Sequence, residues 1–416
     1  MRKTQKNSQK VLKIEKIDFQ NSTNRNNPSK KGNDIRFDTQ EKKELPVEPT
    51  PNLKQIINYH QINKHLFLRF YAYPLERISE DICELKHLQG LSILHCQLRS
   101  LPPYIANLHQ LRHLFLINNR LTKLPEELIF LKHLQYLDVS ENQLITIPNY
   151  FECLTKLTDL YLDKNQLKEF PVSISLLHKL IRLGLSGNQL TMLPNLVYEC
   201  TKLIRLNLAD NRLTTLPETL VQLTKLEWLS LSGNIIQFIP QPVFKLPKLE
   251  LLFLRNCGLM DLPQELTLIK TLQVLDISGN PLHGGKIPSV VFQLPQLEEL
   301  IIMDCGLQYL IEDDFLQLKN LCIIRLQNNK IRYISRRLAR IKRVEEFNFS
   351  GNPLEYIAPE MYQLPFLKRF ILTDTPFENK VTKFKEITND VLLETFEPEV
   401  LQIREKHGLD KRRSFM

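Results

Sequence analysis

The sequence predicts an α/β solenoid: a right-handed stack of short turns with a parallel sheet on its concave side and short helices or 3₁₀ turns outside. Two observations carry this. One apolar pattern recurs thirteen times over residues 65–366, restarting at His65, Leu88, Leu111, Leu134, Leu157, Leu180, Leu203, Leu226, Leu249, Leu272, Leu297, Leu321 and Val344. Eleven of the intervals, counted through the partial copy that opens at Leu367, are 23 residues, and those that start at Leu272 and Leu297 are 25 and 24. The second observation is a change of period inside each copy. In Leu111 to Asn119 apolar residues at 114 and 116 alternate with 113, 115 and 117, the period-2 signature of a strand, and a Leu-Pro pair follows. Units of this kind bury their apolar side only by stacking on neighbours, so function is sought on an extended surface rather than in a pocket.

The elements follow in chain order. Residues 1–52 are rich in Lys, Asn, Ser, Gln and Pro and lack periodic apolar residues, which predicts a disordered basic tail. Residues 53–64 carry apolar residues at helical spacing (Leu53, Ile56, Ile57) and are expected to cap the first turn. The thirteen repeats occupy 65–366. In nine of them an Asn follows the strand, at Asn119, Asn142, Asn165, Asn188, Asn211, Asn234, Asn280, Asn329 and Asn352, where its amide can satisfy backbone groups that would otherwise be buried without partners. The Leu-Pro pair, as at Leu124-Pro125 and Leu216-Pro217, then starts a short helical or 3₁₀ return on the outer side. Residues 367–416 are read as a partial fourteenth strand at Leu367–Leu372, a helical cap with the stripe Val381, Phe384, Ile387, Val391 and Leu392, and a tail.

The repeated Asn-x-Leu-x-x-Leu-Pro, as in Asn119-Arg120-Leu121-Thr122-Lys123-Leu124-Pro125, resembles the intracellular Ras-group leucine-rich-repeat proteins, the family of the animal Ras-pathway scaffold and its plant relatives. The resemblance covers about three quarters of the chain. It implies a leucine-rich-repeat horseshoe used as a non-enzymatic adaptor in signal transduction, with a small GTPase as a candidate partner. Tyr73 and Cys96 stand in the Asn slot of the first two repeats, and Pro is missing after Ile78, Leu310, Ile334 and Ile357. Such departures are expected toward the ends of a stack.

The net charge of +9 narrows the partners by its location. Residues 1–64 hold 14 Lys and Arg against 7 Asp and Glu, whereas the repeats hold 31 against 30. A near-neutral solenoid disfavours nucleic acid, whose affinity scales with the phosphates neutralised. No run of about eighteen apolar residues appears, and the leading Met1-Arg2-Lys3-Thr4-Gln5-Lys6 is followed by no signal-like stretch, so no membrane insertion and a cytoplasmic or nuclear location are expected. The seven cysteines include no paired cluster at either end of the repeats; Cys96, Cys257 and Cys305 fall in the Asn slot and Cys200 in a Leu slot, as small buried residues do.

The register also lists the side chains left on the sheet side. One column runs Phe67, Gly90, His113, Tyr136, Asp159, Arg182, Arg205, Trp228, Leu251, Val274, Glu299, Ile323, Glu346; the next runs Arg69, Ser92, Phe115, Asp138, Tyr161, Gly184, Asn207, Ser230, Phe253, Asp276, Ile301, Arg325, Asn348. Solvent should fill these slots with polar residues. Instead Phe115, Tyr136, Tyr161, Trp228, Leu251 and Phe253 fall there and are expected to be exposed, beside Arg182, Arg205 and Arg255 and near Asp138, Asp159 and Asp163. That composition is typical of a protein-binding hot region. Mutual shelter of same-face neighbours is the other reading of the same rings.

Short motifs lie in the tails. Lys16-Ile17-Asp18-Phe19 matches the basic-Val/Ile-x-Phe docking motif for a serine/threonine phosphatase, in which Ile17 and Phe19 enter neighbouring pockets beside an added strand; the scaffold resemblance implies the same use. Its alternative is an ordinary solvated leader. Leu401-Gln402, Lys406 and Lys411 are spaced like a degenerate calmodulin-binding motif, with a plain basic helix as the other reading. Lys330 to Arg343 holds seven basic residues and no acid, and lateral pairing with Glu312, Asp313 and Asp314 of the preceding rung is the simplest account.

No catalytic, metal or cofactor pattern emerges. His87, His109, His133 and His178 occupy the two slots before a new strand, which the register explains. Gly279 to Ile287 departs from a phosphate loop, because Lys286 comes one place late and Ile287 stands where Ser or Thr must bind Mg²⁺. The extra residues about His283–Lys286 are expected to bulge from the outer turn. A structural or assembly protein, axonemal or junctional for example, working through its convex surface is the alternative to the adaptor.

Overall fold

The computed structural model describes residues 52–375 and Ile387–Thr388, and the account concerns the unit that runs from Leu53 onward. Its strands neighbour one another in strict chain order in one 15-stranded sheet. They run parallel from Phe67–Tyr71 to Arg369–Ile371, and residues one repeat apart lie side by side: Phe67 against Gly90, Gly90 against His113, Arg205 against Trp228. The 25-residue interval leaves this register intact, with Val274 against Glu299. Its extra length is taken up outside the sheet by a turn at His283–Gly285, where Gly284 and Gly285 have φ of 74° and 58°. Left-handed values of that kind favour glycine.

Alternate residues of each strand point into the stack. In the third repeat Leu111, Leu114, Leu116, Leu121, Leu128 and Leu131 are fully buried, each burial contributing about 2 kcal/mol. Toward the end of the stack larger side chains fill these slots, and Phe347 and Phe349 pack at 5.6 Å between ring centroids. The Asn ladder closes the turn after each strand. Asn165 Nδ2 donates to the carbonyls of Val139 (3.1 Å) and Leu162 (3.0 Å), and its Oδ1 accepts from the Leu144 N–H (3.0 Å). Each such Asn therefore stitches its own rung to the preceding one. Cys257 in the same slot keeps part of the donor role, with its Sγ 3.3 Å from the Leu231 carbonyl.

On the outer side Pro125 sits one place before the turn Glu126–Phe130, in an extended conformation, and its carbonyl accepts from Leu128 N–H at 3.3 Å. Proline suits this place because it needs no partner for an N–H. Where Pro is missing the outer side changes. After Ser79 one α-helical turn forms at Glu80–Cys83, and Tyr333–Ile334 pairs in parallel with Tyr356–Ile357. That pair uses backbone donors a proline would lack, including Ala358 N–H to the Ile334 carbonyl at 2.9 Å.

At the start of the stack the helix α1 (Leu53–Asn63) covers the first rung: Ile57 and His60 are buried, and Leu53 and Ile56 pack against the core. At the other end the structure corrects the helical stripe at one point. Ile387–Thr388 is a short strand antiparallel to Arg369–Ile371, with Phe370 against Ile387. The last strand of a sheet offers a row of unpaired backbone groups, and a returning segment satisfies them better as a strand than as a helix. Val381, Phe384, Val391 and Leu392 lie outside the described residues, as do Lys16, Ile17 and Phe19 of the phosphatase motif and Leu401, Gln402, Lys406 and Lys411 of the calmodulin-like one.

Candidate protein-binding face

The strands His113–Phe115 through Leu251–Phe253 carry the candidate residues, brought together by parallel register across seven consecutive rungs. Because side chains stagger between the two columns, the rings meet on diagonals. Phe115 lies 4.7 Å from Tyr136, and Tyr136 lies 5.4 Å from Tyr161. Two rungs further, Arg205 sits over the Trp228 ring at 6.0 Å, and Trp228 lies 5.2 Å from Phe253. The face thus holds two aromatic groups with Arg182 and Arg205 between them.

The expected exposure of these side chains is corrected. Phe115 is buried at 9% exposure, and Tyr136, Tyr161, Trp228, Leu251 and Phe253 are half-buried. The cause is the tilted contact of each ring with its neighbour across a strand spacing of about 4.8 Å. Small residues make the room: a Cβ on Gly184 would meet Tyr161 Cδ1 at 2.9 Å and the Asp163 carboxylate at 2.2 Å. Asp163 Oδ1 accepts from the Ser186 N–H at 2.7 Å.

The carboxylates are likewise engaged. Asp138 and Asp159 are buried at 8% and 7% exposure. Asp159 accepts from Arg182 at 2.6 Å and from the Thr158 hydroxyl at 2.7 Å, and Asp138 accepts from the Ser140 N–H at 3.0 Å. Burial pushes the Asp138 carboxyl up to about 6 against the help of Ser140. Burial, with Asp138 next to it, also raises the Tyr136 phenol. Arg255 is exposed, 3.8 Å from Asp304. What this face offers outward is therefore the flanks of half-buried rings and guanidinium groups.

A second cluster on the same columns escaped the residue-type reading. Glu299, Arg325, Glu346 and Arg369 form an ion ladder in which Arg325 reaches both glutamates, Glu346 through Nε at 2.9 Å, and Arg369 also reaches Glu346. Opposite charges in adjacent register slots are the signal that could have found it. Within the basic run at 330–343, Arg337 and Arg340 lie 2.8 and 3.6 Å from Asp313 of the preceding rung, while Arg332 pairs forward with Glu355 at 3.0 Å. Cys96, Cys200, Cys257 and Cys305 are buried and all seven cysteines are free. Burial raises the Cys200 thiol to about 12 and the Cys257 thiol to about 11. No helix among the described residues is long and apolar enough to cross a membrane.

Family models described as leucine rich repeat match residues 86–144, 109–167 and 178–236, and another matches 271–294. A solved leucine-rich-repeat protein of Leptospira interrogans is 32% identical, over 74% of this chain and 78% of that one, with a TM-score of 0.66. TLR13 in its complex with ssRNA13 is 25% identical, over 77% of this chain and 53% of that one, with a TM-score of 0.59. Toll of Drosophila, in its complex with Spatzle, is 21% identical over 81% of this chain and 46% of that one; its TM-score of 0.60 speaks for the fold alone. No curated protein sequence matches the chain.

Proposed function

The chain belongs to the leucine-rich-repeat family, and on that premise we propose that it is a non-enzymatic intracellular adaptor that holds a protein partner against the open sheet face. Leucine-rich-repeat proteins in general mediate protein–protein interaction. The observation that carries the reading is the row of half-buried rings and arginines from Tyr136 to Arg255, held in place before any partner arrives by ring–ring contact and by Asp159. Prearranged aromatic and Arg side chains are the usual anchors of an interface, because little side-chain entropy is left to lose on binding.

The finer reading is a cytoplasmic signalling scaffold that takes a small GTPase on this face and tethers a serine/threonine phosphatase through Lys16, Ile17 and Phe19. It rests on the Asn-x-Leu-x-x-Leu-Pro repeats and on the leader motif alone. A binding measurement with purified candidate GTPases, loaded with GDP or GTP analogues, tests the first half. A peptide spanning residues 10–25 against one with Ile17→Ala and Phe19→Ala tests the second. Equal affinity of the phosphatase for both peptides would remove the tether from the proposal.

A further inference from the structure

Three histidines meet where α1 joins the sheet. His60 is on the buried side of α1, at 3% exposure; His65 follows the helix; and His87 precedes the second strand, Gly90–Leu94. The rings of His60 and His65 are 5.3 Å apart, and Tyr59 stacks on His65 at 5.2 Å. Nδ1 of His60, Nε2 of His65 and Nε2 of His87 are all buried and have no hydrogen-bond partner among the described residues. A buried polar nitrogen without a partner carries a desolvation cost, so three in one place form an unusual grouping.

Repeat register explains the position of His87 but not its surroundings. Other histidines of the two slots before a strand find partners: His109 Nδ1 lies 2.8 Å from the Asn107 carbonyl, and His133 Nδ1 lies 3.0 Å from Lys156. Among the described residues no group of three such side chains has the geometry to hold a metal ion. A proton is the smallest species such shielded ring nitrogens can take up, and it would bring a charge that this site does not pair.

Around the cluster the balance of charge disfavours a further positive charge. Lys64 ends the helix and acts on His87, while His65 and His87 both act on His60. Asp81 of the neighbouring helical turn and Glu84 just after it line a groove with Lys54 and Ile57 of α1, and Glu84 is also paired with Lys86 at 3.1 Å. Neither acid is among the groups that act on His60.

We propose that His60, packed against His65 and beside His87, is the trigger of an acid-sensitive latch that holds α1 over the first rung while the His60 ring is neutral and releases it when that ring is protonated. Burial, then His65 and His87, lowers His60 from 6.5 to about 4, and burial and Lys64 lower His87 while the nearby backbone of His60 and His65 acts the other way. The released helix takes up protons at a higher pH than the docked one. Docking is thus fully stable above the free-histidine value of 6.5 and weakens as pH falls toward 4. His60 alone makes the docking constant fall about thirtyfold between pH 7.5 and 5.

Hydrogen exchange of the full chain, corrected for the intrinsic pH dependence of the amides, reads this directly. Amides of residues 53–63 should lose about thirtyfold protection between pH 7.5 and 5, while the rungs beyond Leu111 keep theirs. His60→Leu should hold its protection to within about threefold over the same range, and His87→Gln should show a reduced loss. Flat protection in the wild type, a loss shared equally by the later rungs, or the same loss in both variants would overturn the latch. Ring NMR titration of the wild type decides the matter even where a variant fails to dock: a His60 that titrates near 6.5 with α1 in place excludes it.

Discussion

Trp228 and Phe253 lie 5.2 Å apart with their rings tilted by 40°, on adjacent strands and in different columns. The diagonal is set by the register, which puts Leu251 rather than Phe253 directly beside Trp228. Each ring therefore keeps one flank for solvent or a partner, and the pair is both a piece of structure and the centre of the candidate interface.

If a partner lands there, Trp228→Ala and Phe253→Ala should each weaken its capture by at least about 2 kcal/mol, some thirtyfold in Kd. Folding measurements on the single and double variants should give a coupling of about 0.5–1.5 kcal/mol for the ring contact itself. Unchanged capture with the fold intact would remove the sheet face as the binding site and favour the outer surface, the route of a structural or assembly protein.

Asp138 makes stability depend on pH in an unusual direction. Its carboxyl is raised from 3.8 to about 6, chiefly by burial, so the folded chain binds a proton more tightly than the unfolded one. The contribution is fully present below pH 3.8 and is lost as pH rises through 6. Asp138→Asn keeps an acceptor for Ser140 and has no charge to bury. It should be more stable than wild type at pH 7.5 by up to about 2–3 kcal/mol, with the difference vanishing near pH 4, in denaturation midpoints across that range.

Glu346 is 3% exposed and depends on Arg325 and Arg369. Arg325→Ala leaves Glu299 without that partner and Glu346 with one arginine, and should cost about 3 kcal/mol. Combining Arg325→Met with Glu299→Gln and Glu346→Gln should restore much of the loss, because the penalty is that of uncompensated buried charge. A combined variant as unstable as Arg325→Ala would show that side-chain shape, and not charge, sets the cost.

The Asn ladder can be tested in both directions. Asn165→Ala removes the acceptor for Leu144 N–H and the donors to Val139 and Leu162, with an expected loss of about 3 kcal/mol. Cys257→Asn should add about 1 kcal/mol, since an amide there gains an acceptor for the preceding turn that a thiol supplies only weakly. Thermal unfolding of the two variants beside the wild type gives both signs.

How much of the chain was legible before folding depends on the range of the interaction concerned. The recurrence of Leu114, Leu116, Asn119 and Leu124-Pro125 every 23 residues contains the strand, the ladder and the outer turn, because those depend on a residue and its immediate neighbours in chain and register. Both sheet-side columns could be written out in advance, and they match the observed pairs such as Tyr136 with Asp159 and Arg182 with Arg205. The exposure of those residues could not be, since it depends on how far each ring leans over the next strand. That lean buries Phe115 at 9% and leaves Tyr161 half-buried beside Gly184. Where proline is absent the outer backbone was free to choose, and only contact between rungs made a strand of Tyr333–Ile334 and of Tyr356–Ile357. The histidines are the plainest case: His60, His65 and His87 look unrelated along the chain, and packing α1 onto the first rung is what brings them together, with His60 buried and one ring nitrogen of each of the other two shielded from solvent.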